Sequence, residues 1–349
     1  MKPNYLLLFI LMTVAFACKK EVNQIQDNQS PTSVDAGTCY GNTWTATGDF
    51  TVGLTFFRLV YNNKLYVFRS QNGPDIPEGV HVYDGISWQA MPVDIPFSTN
   101  YSYVFGFTIG NKGYIGTSTG LSGAFYEYDF AANTFTPKAI FPATQSHYGA
   151  ATFAVGNKGY VMGGYYTQNG SFYNSSRTYV YDPASNTWNQ KADFAWLGMS
   201  YCTGFTIGNK GYLINGRFTL LSGDVYPAFF REYDPATDTW TSKAAFPGNP
   251  RINTNLFVIS GNAYAGGGSG KVSGSNVEYK DFYKYNPVAD EWTQISDFPI
   301  TTDLHRPAFS LNSRGYVTYH NQFTPDKIVK YTPKICLPVS PGISSVTSN

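Results

Sequence analysis

Short apolar runs recur along the chain, each broken by a polar turn and followed by a second apolar run. The runs FRLV, GFTI, TFAV, GFTI, LFVI and AFSL lead into Asn62–Tyr66, Gly110–Tyr114, Gly156–Tyr160, Gly208–Tyr212, Ser260–Tyr264 and Asn312–Tyr316. Three of these phrases read GNKGY and the other three are degenerate copies of it. Asn and Gly tolerate positive φ, so each phrase predicts a β-hairpin with a tight turn. Aligned on the residue before the Tyr, the hairpins fall at Leu65, Gly113, Gly159, Gly211, Ala263 and Gly315, in steps of 48, 46, 52, 52 and 52 residues. A repeat of that period predicts a propeller, solenoid or array.

The second half of each repeat predicts two more strands. One ends at Tyr83-Asp84, Tyr128-Asp129, Tyr181-Asp182, Tyr233-Asp234, Tyr285-Asn286 or Tyr331-Thr332. Turns such as Asp182–Thr187 and Asp234–Thr239 follow, with Pro after Asp. An aromatic then opens the fourth strand: Trp88, Phe135, Trp188, Trp240 or Trp292. This unit of four antiparallel strands resembles the Kelch family, and the resemblance runs from about residue 38 to residue 338. The family's double glycine is read at Gly163-Gly164 and Gly266-Gly267, and in reduced form at Asn215-Gly216 and Gly116-Thr117. The resemblance implies a propeller.

The last repeat has no Trp after Tyr331. Its missing strand is found at the other end of the chain, where the run around Trp44 copies the run around Trp188. The expected fold is therefore all-β, a six-bladed propeller of four-stranded antiparallel blades, with an N-terminal strand completing the last blade. Without that strand one blade would be left with an unpaired strand edge. Cys39 and Cys336 flank that seam and are expected to form a disulfide, while Cys202, in the strand YCTGFTI, reads as a buried free thiol.

Residues 1–17, with Lys2, an apolar stretch and Ala15 and Ala17 ahead of Cys18, resemble a bacterial lipoprotein signal. Cys18 is then the lipidated residue, residues 18–38 a flexible tether, residues 39–338 the propeller and residues 339–349 a disordered tail. The expected location is the outer membrane, facing either the periplasm or the cell exterior. Aromatics make up 17% of the chain and charged residues 13%, a balance that suits strands and turns. Net charge is +1 and no basic stripe appears, which argues against nucleic acid as a partner.

Catalytic signatures are sparse: there is no nucleophile elbow, no metal-spaced Cys/His cluster and no phosphate loop. No metal and no cofactor are expected. The face opposite the GNKG hairpins carries the variable loops, and counting twelve residues back from each hairpin residue gives Gly53, Tyr101, His147, Met199, Arg251 and Asp303. Tyr101, His147, Arg251 and Asp303, with His305 and Arg306, form the expected ligand site. The loops Gln168–Ser176, Gly216–Pro227 and Ser269–Lys280 would add polar and aromatic contacts. A monomeric binding module for a glycan or a protein is the leading reading. The alternative is a carbohydrate enzyme: the segment Phe246–Arg251 (FPGNPR) resembles an inter-blade segment of the sialic-acid epimerases (mutarotases), and a sugar ring-opening needs an acid and a base. A copper radical oxidase resembling galactose oxidase ranks last, because Cys202 lies in a strand with no identifiable Tyr to crosslink.

Overall fold

A computed structural model describes residues 39–49, 57–70, 78–97, 104–117, 123–142, 147–169, 171–195, 197–220, 223–299, 308–321 and 324–336. Residues 40–335 form one compact unit. Cys18, the expected signal and tether, and the tail lie outside the described residues.

Six four-stranded antiparallel sheets follow one another along the chain. Blade 1 is Phe57–Tyr61, Lys64–Arg69, Gly79–Tyr83 and Trp88–Met91; blade 2 is Val104–Ile109, Lys112–Thr117, Phe125–Asp129 and Thr134–Pro137. Blade 3 is Ala151–Val155, Lys158–Met162, Thr178–Asp182 and Thr187–Lys191; blade 4 is Thr203–Ile207, Lys210–Ile214, Phe230–Asp234 and Thr239–Ser242. Blade 5 is Asn255–Ile259, Asn262–Gly266, Phe282–Asn286 and Glu291–Gln294. Blade 6 is Ala308–Leu311, Arg314–Asn321 and Thr324–Thr332, with Thr43–Asp49 as its outer strand. The first strands of successive blades lie side by side and surround a central channel. Leu65, Val67 and Tyr83 of blade 1 share a core with Phe309, Leu311 and Tyr316 of blade 6.

The sequence signatures turn out to be inter-blade joints. A Cβ on Gly159 would lie 1.9 Å from the Phe107 ring, on Gly211 2.3 Å from Phe153, and on Gly315 2.2 Å from Phe257. The glycine before the Tyr is therefore the floor on which the preceding blade's Phe rests. The outer-strand Trp crosses the same joint: Trp188 Nε1 donates to Ala139 O at 2.9 Å, Trp240 to Ala192 O at 3.1 Å and Trp292 to Ala244 O at 2.9 Å. The turn between strands three and four holds both sides. Asp238 Oδ1 accepts the Tyr233 hydroxyl at 2.7 Å and the Ala192 backbone N–H of the preceding blade at 3.0 Å. Asn186 and Asp290 repeat this arrangement, and all three turn residues sit at φ of 52–54°.

The same joint recurs where the chain ends meet. Trp44 is paired with Tyr331 in register, as Trp188 is with Tyr181. The Tyr331 hydroxyl donates to Asn42 Oδ1 at 2.9 Å, Trp44 Nε1 donates to Ser296 O at 3.0 Å, and Asn42 has a φ of 59°. Trp44 meets Phe282 and Phe298 edge-on at 4.9 and 5.1 Å. Each such pair contributes about 0.5–1.5 kcal/mol beyond area burial. Cys39–Tyr40 and Ile335–Cys336 form a further two-stranded sheet.

One difference from the sequence reading concerns the three long loops between strands two and three. They contain β-ribbons: Tyr165–Gln168 with Ser171–Asn174, Phe218–Leu220 with Gly223–Val225, and Ser269–Val272 with Ser275–Glu278. Alternation there is too short, and too polar on both faces, to announce a strand.

Candidate functional site

The face bearing these ribbons is built from the slots that precede each first strand. Twelve residues before the hairpin residue stand His147, Met199 and Arg251 in blades 3, 4 and 5, and all three are buried. For Met199 and Arg251 the burial has a backbone cause. The Gly164 N–H of blade 3 donates to Met199 O of blade 4 at 2.8 Å, and the Gly216 N–H of blade 4 to Arg251 O of blade 5 at 2.9 Å. At these two joints the second residue of the double-glycine position thus stitches its blade to the next, and the slot twelve back supplies the carbonyl it needs. In blade 5 the equivalent pair with positive φ is Gly267-Gly268, one residue later than the sequence reading placed it.

Arg251 is accordingly a packing residue, which corrects its expected role as a ligand contact. Its side chain has 0% exposure. It pairs with both carboxylate oxygens of Asp281 at 2.7 and 2.8 Å and donates to Gly267 O at 3.0 Å and Asn249 O at 2.7 Å. The guanidinium lies 4.2 Å from the Tyr279 ring centre and 4.9 Å from that of Phe246. A Cβ on Gly248 would stand 2.5 Å from Arg251 Nη2. The phrase FPGNPR therefore encloses its own arginine. His147 sits in an aromatic setting, edge-on to Phe141 at 5.8 Å and 6.3 Å from Tyr166. Tyr101, Asp303, His305 and Arg306 lie outside the described residues.

Two positions further along the chain the surroundings change. Ten residues before the hairpin stand Gly149, Tyr201 and Asn253, with φ of 62°, 56° and 54°. All three line the channel. A left-handed Tyr is uncommon and costs energy that its surroundings must hold in place. Here the Tyr201 N–H donates to Gly149 O of the preceding blade at 2.8 Å. Counted the same way, His305 falls in this slot in blade 6.

Arg217, just after the stitch glycine Gly216, lies over the Tyr201 ring at 5.0 Å. Its Nη1 pairs with Asp224 of the blade 4 ribbon, and Thr219 Oγ1 donates to the other oxygen of Asp224 at 2.8 Å. Arg217 Nε is buried without a hydrogen-bond partner. Its side chain keeps 25% exposure, so part of the guanidinium still faces solvent. Sequence reasoning missed Tyr201 and Asn253, and reached Arg217 only as part of the loop Gly216–Pro227 without singling it out. Counting ten back instead of twelve would have found the first two.

The channel behind this rim has a volume of about 870 Å³. Among the described residues lining it, the ionisable side chains are Arg58, Tyr201, Cys202 and Arg217, with no carboxylate and no imidazole. Burial pushes the Cys202 thiol well above its ordinary value, so it stays protonated and non-nucleophilic. Among the described residues no group of three His, Cys, Asp or Glu is placed to hold a metal ion.

No protein-family model matches the chain. A stretch of 99 residues is 38% identical to N-acetylneuraminate epimerase of Escherichia coli O157:H7, covering 28% of this chain and 27% of that protein. A stretch of 110 residues is 33% identical to N-acetylneuraminate epimerase 2 of Escherichia coli O6:H1, covering 31% of this chain and 30% of that one. The chain thus spans less than a third of the length of these curated relatives. Among solved structures, one titled "Structure of YjhT" matches over 85% of this chain and 97% of its own, with a TM-score of 0.63 and 12% identity. That likeness shows the six-bladed propeller fold.

Proposed function

We propose that this propeller binds a carboxylated sugar of the N-acetylneuraminate class at the channel mouth. The observation that carries the reading is the rim itself: a guanidinium laid on a Tyr face beside an Asn, over a channel with no carboxylate among its described lining residues. Arg217 would meet the sugar carboxylate with its planar fork. Tyr201 positions Arg217, and Asn253 offers an amide to hydroxyl groups. The names of the partial relatives support this substrate class. Tyr101, Asp303, His305 and Arg306 remain proposed contributors from the neighbouring blades.

Binding alone is favoured over turnover, because ring-opening needs a proton donor and acceptor at the sugar. Among the described lining residues no carboxylate or imidazole stands ready to accept a proton, and the Cys202 thiol stays protonated. The relatives' epimerase names keep a second reading, in which His305 acts from the register slot of blade 6. Calorimetric titration with N-acetylneuraminate and with its methyl ester tests the main reading. The acid should bind and the ester should bind at least tenfold more weakly, since a hydrogen bond to a charged group contributes about 1.5–3 kcal/mol. Equal affinity for both removes the carboxylate site. Catalysed anomer exchange in NMR spectra of the bound sugar would move the assignment to the mutarotase.

Membrane anchoring through Cys18 and a Cys39–Cys336 bridge are part of the same proposal. The supporting observations are the motif around Cys18 and the pairing of the two short strands that carry Cys39 and Cys336. Loss of the membrane fraction in Cys18→Ser, and a linked peptide pair under non-reducing digestion, are the expected results. Soluble wild-type protein or two free thiols would refute them in turn.

A further inference from the structure

We infer that the carboxylated sugar is taken as the end of a longer glycan, whose next hexose units lie along an aromatic row on the blade 3 ribbon that ends at Phe172. The inference rests on the rim reading above and extends it outward. Six residues after the hairpin residue, the slot that carries Arg217 in blade 4 carries Tyr165 in blade 3 and Ser269 in blade 5. Each is bridged to the segment that enters its own blade, Tyr165 to Tyr148, Arg217 to Ser200 and Ser269 to Ile252. The Tyr165 ring thus reaches Tyr201 from blade 3, with 5.8 Å between ring centres, and the Arg217 guanidinium reaches the same ring from blade 4 at 5.0 Å.

From Tyr165 the row turns outward. Tyr148 stacks on the Tyr165 ring at 5.1 Å, and Phe172 meets it edge-on at 5.8 Å. Burial falls along the row: Tyr201 and Tyr165 are half-buried, and Phe172 is 61% exposed. A ring left that far in water forgoes most of the gain that burying it would bring. The ribbon does not need it for its own pairing. In blade 5, Ser269–Val272 and Ser275–Glu278 make the same four-pair ribbon without one aromatic side chain.

Continuity with the rim indicates what lies on the row. Tyr201 is shared: one neighbour of its ring is the guanidinium assigned to the sugar carboxylate, and the other is the first ring of the row. A ligand held by its acid at Arg217 therefore has its next units over Tyr165 and Phe172. A pyranose has an apolar face of C–H groups and a rim of hydroxyls, so it can lie on an aromatic ring while its edge stays hydrated. An exposed ring at the outer end of the row suits such a unit. A glycosidic bond also fixes the anomeric carbon, so a ligand of this kind is held and not ring-opened, in keeping with binding over turnover.

The experiment is calorimetric titration of the full propeller with two ligands of the same anomer, the methyl α-glycoside of N-acetylneuraminate and N-acetylneuraminate α-linked to lactose. Wild type should bind the trisaccharide about tenfold more tightly, the worth of a small apolar face withdrawn from water. Phe172→Ala, at an exposed position, should erase that gain and leave the methyl glycoside within about twofold of wild type. Phe172→Tyr keeps the ring and should keep the gain. Arg217→Gln should weaken both ligands alike. A trisaccharide bound no more tightly than the methyl glycoside, or a gain that survives Phe172→Ala, overturns the inference and leaves the rim reading standing. A trisaccharide that depends on Phe172 but ignores Arg217→Gln supports the row and removes the rim. Absence of binding by both ligands overturns the two together.

Discussion

Arg251 and Arg217 stand on the two sides of one stitch, the hydrogen bond from the Gly216 N–H to Arg251 O, and have opposite surroundings. Arg251 has no exposed surface, is paired with both oxygens of Asp281 and is enclosed by Phe246 and Tyr279. Arg217 is paired through one nitrogen, lies on one ring and keeps a quarter of its side chain exposed. The same residue type serves as a pin in one place and as a ligand-facing group in the other. What separates them is the side of the stitch on which each stands: Arg251 occupies the slot twelve back of blade 5, whose carbonyl accepts from Gly216, and Arg217 follows Gly216 and lies over Tyr201, in the slot ten back of blade 4.

The largest expected effect comes from emptying the cage. Arg251→Ala leaves Asp281 beside an apolar void, and removing one partner of a buried ion pair costs about 3–5 kcal/mol. Asp281 keeps 22% exposure, which places the effect near the lower end. Urea unfolding should show this loss, while sugar affinity measured well below the melting range should stay within about twofold of wild type. A variant of normal stability that fails to bind would reverse the roles of the two arginines.

Arg217→Gln is the converse. It removes a partly buried ion pair, with side chains 25% and 18% exposed, which puts the cost near the upper end of the roughly 0–1 kcal/mol of surface pairs, so the melting curve should move little. Affinity for the carboxylated sugar should fall about ten- to hundredfold, corresponding to roughly 1.5–3 kcal/mol. Unchanged affinity would place the ligand elsewhere on the ring.

The smallest effect lies at the hairpin face, where no ligand role is proposed. Hydrogen bonding from Lys112, aided by the Ala131 and Ala132 N–H groups, lowers the Asp129 carboxyl to about 2. A folded-state pKa below the ordinary value near 4 means that Asp129 stabilises above that value and that the contribution is lost as pH falls toward 2. Asp129→Asn should flatten the acid limb of a stability–pH profile slightly and leave sugar binding untouched. A steeper acid limb in the variant would contradict the sign.

How much of this was readable in the sequence depends on the kind of contact. GNKGY, the strand-three Tyr and the strand-four Trp recur because every blade repeats the same joint, and periodicity exposes them. Trp44 could be assigned to the last blade for that reason, and the structure pairs it with Tyr331. The site is not periodic. Arg217 stands alone in its slot and Tyr201 shares its slot with only one other Tyr, Tyr103, so no repeat draws attention to them. The face was legible from its variable loops. Which residue of a loop turns inward depended on a backbone stitch between blades, and composition carries no trace of that.

A crystal structure of the full propeller with N-acetylneuraminate would show whether the ligand sits at the channel mouth, held by Arg217. Sugar density is expected over the rim of Tyr201 and Asn253, with its carboxylate against the Arg217 guanidinium and Arg251 still paired with Asp281. Density on the hairpin face, or a sugar at the mouth whose carboxylate points away from Arg217, would contradict that placement.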